Sequence, residues 1–190
     1  MKKLIFLLEE PSMKELLDIL FPKVLPPEIG FQTIPHEGKQ DLEKSIPRKL
    51  RAWKEPGVHF IIVRDQDNAD CIDVKNRLVE LCREAGRKDS LVRIVCHELE
   101  SWFLGDLVAV AHAFDDMSIA KLQGKSKYRN PDMISNAAQE IKKIVPSYQK
   151  IQGARSIAEH ISVERNRSNS FFVFVEGVRK VAGINEEVSY

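Results

Sequence analysis

Apolar residues along the chain gather in short continuous runs, separated by stretches of helical period. Leu4–Leu8 is the first run, and its unbroken apolar character fits a strand covered on both faces. Pro11-Ser12 opens a predicted helix reaching about Phe21, with Leu16, Leu17 and Leu20 as its stripe. Pro22, Pro26, Pro27 and Gly30 mark a loop, and Phe31–Pro35 forms a second predicted strand. Residues 40–54 place Leu42, Ile46, Leu50 and Trp53 on one helical face, where Pro47 is expected to kink or split the helix. Val58–Val63 is the strongest strand signal and runs directly into R-D-Q-D-N-A-D. A helix from about Cys71 to Ala85 follows, with Val74, Leu78 and Leu81 inward and Gly86 as its cap. Leu91–Cys96 reads as another strand, leading through H-E-L-E-S-W into a helix with Phe103, Leu104, Leu107, Val108 and Ala111.

Strand and helix thus alternate, which predicts an α/β fold with a parallel sheet of about four strands and right-handed crossovers. Strand signals stop near residue 115, while 133–145 and 169–182 read as helical. The expected organisation is a core over residues 1–115 and a helical, basic extension over 116–190 packed on it. No apolar run approaches the roughly 18 residues that span a bilayer. Met1-Lys2-Lys3 before Leu4–Leu8 lacks the length and cleavage site of a signal peptide. A cytoplasmic, membrane-free protein is therefore expected. Cys71, Cys82 and Cys96 are odd in number and lack C-x-x-C spacing, so reduced, buried thiols fit better than disulfides or a zinc site.

Net charge is +1, but residues 121–180 hold 12 Lys/Arg against 5 Asp/Glu. The first 120 residues hold 17 against 21. This asymmetry suits a polyanion held by one part and processed by the other, and equally suits solvated faces.

The candidate chemistry lies at the strand ends, where open parallel sheets bind their ligands. The first strand leads to Glu9 and Glu10, the third to Asp65, Asp67 and Asp70, and the fourth to Glu98 and Glu100. Alternation in an extended segment would point Asp65 and Asp67 to one side, and a neighbouring strand would bring Glu9 alongside. Converging carboxylates need a counter-charge, and Mg²⁺ supplies one while keeping waters or phosphate oxygens. Such an ion equips a site for phosphodiester hydrolysis. Asp70, Glu98 and Glu100 also stand where helix-start acids are favourable without any metal.

A glutamate closing the first strand and Asp-x-Asp closing the third resemble the Toprim domain of topoisomerases, primases, recombination proteins and overcoming-lysogenization-defect nucleases. The resemblance covers about residues 1–115. More narrowly, L-E-E-P-S, H-E-G-K-Q-D-L-E-K-S, R-D-Q-D, H-E-L-E-S-W, K-Y-R-N-P-D and N-R-S-x-S-F look like a widespread bacterial family of Toprim-like proteins. That likeness extends over nearly the whole chain, and such families are often encoded beside an ABC-type ATPase. The resemblance implies Glu9 as acid/base or metal ligand and Asp65 with Asp67 as the Mg²⁺ pair, with Mn²⁺ as a substitute. Glu10 stands where many Toprim domains have glycine, so either glutamate qualifies. Glu98 has an approximate counterpart in the nuclease branch, where further acids complete a two-metal site. The implied function is a Mg²⁺-dependent nuclease on DNA or RNA, the effector of an ATPase-associated anti-phage system; a homo-oligomer is a further expectation. The alternative is a non-catalytic Toprim scaffold that binds nucleic acid or the partner ATPase.

Basic residues supply the remaining candidates. Lys39, after the second strand, is placed to neutralise a scissile phosphate or simply to start a helix in solvent. Lys125, Lys127 and Arg129, with Tyr128 among them, form a candidate phosphate-contacting loop or an ordinary exposed one. Arg167, Ser168 and Ser170 suit a helix cap better than an anion site.

Overall fold

The computed structural model describes residues 2–184. Four strands, β1 (Lys3–Leu8), β2 (Gly30–Pro35), β3 (Val58–Asp65) and β4 (Leu91–Val95), form one parallel sheet in the order β2-β1-β3-β4. The helices between them are α1 (Pro11–Val24), α2 (Lys39–Ala52) and α3 (Cys71–Glu84). After β4 come α4 (Glu100–Leu104), α5 (Leu107–Ala113), α6 (Ala137–Ile144), α7 (Lys150–Ala158) and α8 (Asn169–Ala182), with short 3₁₀ turns between α5 and α6. This is a Rossmann-like α/β arrangement. No helix among the described residues is long and apolar enough to cross a membrane.

The pleat divides the apolar runs between two cores. Ile5, Leu7, Phe60 and Ile62 face α2 and α3, against Leu42, Ile46, Leu50, Val74 and Leu78. Leu4, Phe6, Leu8, Ile61 and Val63 face the larger core, built with α1 and with helices as late as α8. There Phe6, Phe21, Phe174 and Trp102 pack ring to ring, with centroids 4.4–6.3 Å apart. Each fully buried aromatic of this kind contributes on the order of 1.5–3 kcal/mol. The same cluster runs from Leu4 to Ala182 without a break near residue 115.

Two helices differ from the sequence expectation at proline. Pro47 lies within one continuous α2, and Pro22 within the last turn of α1. In α2 the buried Leu42, Ile46 and Leu50 hold both sides of Pro47 on the sheet, so tertiary packing overrides a missing hydrogen bond. The single helix expected after β4 is instead two, α4 and α5, separated at Gly105-Asp106. A side chain at Gly105 would meet Asn166 Oδ1 at 2.1 Å. Asp106, wholly buried, caps Ala109 N–H at 3.1 Å. It also takes two guanidinium bonds from Arg165 at 2.7 and 2.8 Å, which fastens the loop before α8. The helix α7 had no counterpart in the predicted elements.

Candidate active site

The strand register decides which acids meet. Leu8 of β1 pairs with Val63 of β3, and Glu9 N–H continues the ladder to Val63 O at 3.1 Å. Extending that register sets Glu9 beside Arg64 and Glu10 beside Asp65. Because successive residues alternate faces, Glu9 and Arg64 belong to the α2/α3 side, and Glu10 and Asp65 to the opposite side. The strand ends therefore carry two half-sites, one on each face of the sheet.

On the larger core's side the arrangement is acidic. Asp65 is 4% exposed and its Oδ1 has no hydrogen-bond partner. Burial, and then the charges of Glu10, Glu9 and Glu100, push its pKa well above the ordinary carboxylate value. Glu100 is completely buried at the start of α4. Its Oε1 accepts from the Tyr148 hydroxyl at 3.0 Å, while Oε2 is unpartnered. Burial raises the Glu100 pKa too. Glu10 accepts from Ser12 Oγ at 2.5 Å and pairs with Lys150 Nζ at 2.5 Å. Lys150, first residue of α7, thus brings a positive charge 140 residues away in sequence onto the strand ends. Its own pKa is raised by Glu10 and Glu100 against the effect of burial.

The α2/α3 side is mixed in charge. Glu9 Oε2 accepts the Asp65 backbone N–H at 2.9 Å and lies 3.9 Å from Arg64 Nε. Burial raises the Glu9 pKa, while the bond from Asp65 N–H opposes it. Arg64 is 6% exposed and donates from Nη1 to Glu43 at 2.7 Å. Lys39 pairs with Asp67 Oδ2 at 3.1 Å. Asp67 does not continue the strand's alternation, because its φ is 56°. His97 at the end of β4 is also left-handed, φ 57°, and its carbonyl accepts Asp67 N–H at 2.8 Å. Two non-glycine residues in this region cost of order 1–3 kcal/mol each, and an aspartate tolerates it better than most.

A family model described as a domain of unknown function, DUF4276, matches residues 8–179. The chain belongs to the DUF4276 family. No curated protein and no solved structure matches it. The DUF4276 match begins at the last residue of β1 and ends within α8, so it takes in both half-sites together with Tyr148 and Lys150.

Several expectations for this DUF4276 chain change with the geometry. Among the described residues no group of three or more His, Cys, Asp or Glu side chains is gathered closely enough to hold a metal ion. The expected set of Glu9, Asp65 and Asp67 is divided by the pleat and by the left-handed turn at Asp67. Glu10, and not Glu9, shares a face with Asp65. Asp70 is an N-cap, its Oδ1 accepting from Ile72 and Asp73 N–H at 2.8 and 3.0 Å. Glu98 turns to α6, accepting Ala138 N–H at 2.8 Å. Tyr128 is buried, with its hydroxyl 2.6 Å from Glu140, and Lys127 pairs with the same carboxylate at 2.6 Å. Tyr128 is therefore no exposed stacking platform; Lys125 and Arg129 remain exposed. Ser168 caps α8 through Phe171 N–H. His36, which flanks β2, is a buried structural link between Leu8 O and Ser45 Oγ. Sequence reasoning missed Tyr148, Lys150 and Glu43. No local signal marks the first two, since they reach the strand ends only through the packing of α7 on α1.

The fit of a divalent cation rests on the orphaned oxygens. Asp65 Oδ1 and Glu100 Oε2 are buried acceptors without donors, and such atoms are costly unless a cation or water meets them. Mg²⁺ usually takes only one or two carboxylates and completes its shell with water or phosphate. The acidic half-site suits that habit, and it does not form an all-protein cage.

Proposed function

We propose that the chain is a Mg²⁺-dependent nuclease that hydrolyses phosphodiester bonds of DNA or RNA on a Toprim-like scaffold. The observation that carries this reading is Asp65, a buried carboxylate at the end of a central strand, with an unpartnered oxygen and Glu10 and Glu100 as like-charged neighbours. Asp65 and Glu100, the two carboxylates with an unpartnered oxygen, are the residues that would hold Mg²⁺, with Glu10 as a charged neighbour engaged by Lys150. When bound, the ion would polarise a phosphoryl oxygen and lower the pKa of water. Lys150 offsets the local negative charge and orients Glu10; Tyr148 fixes Glu100. Lys39 and Arg64, beside the acids, suit the negative charge of a phosphate. The further role, effector of an ATPase-associated anti-phage system, rests on the resemblance of the motifs alone.

A second reading has one observation in its favour. Lys150 already provides a counter-charge to Glu10, as a non-catalytic scaffold that binds nucleic acid or a partner ATPase would retain. Cleavage of labelled single-stranded DNA, duplex DNA and RNA, with Mg²⁺, Mn²⁺ or EDTA, separates the two. The nuclease reading expects metal-dependent cleavage that falls about 100-fold or more in Asp65→Asn, the scale of losing several kcal/mol of charge stabilisation. Wild-type protein inert toward all three substrates in both metals, or an undiminished Asp65→Asn that retains its circular dichroism, overturns it.

A further inference from the structure

Between α2 and α3, at the C-terminal end of β3, lies a groove of about 640 Å³. Its lining holds four cations, Lys39, Lys44, Arg64 and Arg77, against a single acid, Glu43. Such a charge balance stands out in the part of the sequence that is acidic overall. The groove is built, and does not merely collect surface lysines. Arg64 forms its floor with 6% exposure, and its Nε has no hydrogen-bond partner, only the 3.9 Å approach of Glu9. Lys39 at its near end pairs with Asp67 of the strand-end loop.

Glu43 shows what chemistry the groove accommodates. Its carboxylate lies between two guanidinium groups, 2.7 Å from Arg64 Nη1 and 3.5 Å from Arg77 Nε. Arginine forks recognise carboxylate and phosphate oxygens by the same planar geometry. An internal carboxylate therefore occupies a position that suits an anionic oxygen of a ligand, with exposed Lys44 beside it and exposed Arg77 held by Glu43 at 3.5 Å.

The geometry points to this groove as the binding track for the phosphodiester backbone of a nucleic acid, leading to the acidic half-site around the end of the sheet. The substrate class rests on the nuclease reading above. The polyanion then lies on α2 and α3 and not on the 125–129 loop, where Lys127 is engaged by Glu140.

The test is binding of a fluorescent 20-nucleotide single-stranded DNA, and of its RNA counterpart, to the full chain in EDTA, read by anisotropy against salt. Because no cleavage is needed, a failed nuclease assay leaves this result independent. Lys44→Ala with Arg77→Ala is expected to weaken binding at least tenfold. The slope of log K against log salt should fall by about 1.4, at roughly 0.7 per lost phosphate contact on a single strand. Glu43→Gln is expected to tighten binding severalfold, and Lys125→Ala with Arg129→Ala to leave it within twofold. Absence of binding to both oligonucleotides at 50 mM salt, or wild-type affinity in the Lys44/Arg77 double variant, overturns the inference. A loss of affinity confined to the Lys125/Arg129 variant does the same.

Discussion

At Asp65, β3 delivers a carboxyl into surroundings that favour its protonated form. Its pKa in the folded chain is raised, by burial first and then by Glu10, Glu9 and Glu100. The folded state therefore keeps a proton that the unfolded chain releases near pH 4. Stability gained from this group is complete at acidic pH and declines as pH rises from about 4 through the raised value. Asp65→Asn removes that decline. In metal-free buffer the variant should melt close to wild type at pH 4.5 and above it at pH 8. Melting curves at the two pH values check it, and an Asn variant less stable than wild type at pH 8 would contradict the account. At this scale the sequence revealed which residues carry charge and missed how they are aimed. Asp65 and Asp67 read as one face of a strand, but the left-handed φ of Asp67 leaves no trace in residue type beyond a tolerance for it. Whether Glu9 or Glu10 accompanies Asp65 depends on a register fixed by Val63 and Leu8, which composition does not encode.

Among the elements, the strands were the most legible, because a strand buried on both faces must be continuously apolar and Leu4–Leu8 and Val58–Val63 are. Helices that meet the sheet were legible through their stripes. The break at Gly105-Asp106 was not, because it depends on Asn166 and Arg165 approaching from sixty residues away. The helix α7 is the clearest omission, and it matters most to the site. Gly153 within it faces Tyr148, and a Cβ there would meet the ring at 2.3 Å. Gly153→Ala must displace the phenol that holds Glu100, and is expected to cost about 1–3 kcal/mol, the usual range for overpacking. Gly124→Ala, where nothing lies within 4 Å, should melt close to wild type. Differential scanning of the two variants decides the point; equal melting temperatures would mean that Tyr148 yields without strain.

Across the whole molecule, charge asymmetry in the sequence turns into internal pairing. Lys150 meets Glu10, Arg155 meets Glu15 at 2.7 Å, and Arg165 meets Asp106. Three of the twelve Lys/Arg over residues 121–180 thus pair with acids of the N-terminal part, and the groove rich in cations lies where the sequence looked acidic. The same packing predicts that residues 1–115 do not fold alone. Without α6, α7 and α8, the larger core loses Phe171, Phe174, Val175 and Val178 from beside Phe6 and Phe21. That fragment is expected to lack dispersed amide resonances and to bind a hydrophobic dye; a well-dispersed NMR spectrum from it would refute the claim.

The continuous core from Leu4 to Ala182 also sets an order of events during synthesis. β1 leaves the ribosome well before α8, yet the core on one of its faces is completed by residues of α8. Until α8 emerges, Phe21 lacks its contact with Phe174, and the larger core of the nascent sheet stays open. Slow elongation between β1 and α8 would lengthen that interval, and a chaperone that shields apolar surface would find its work there.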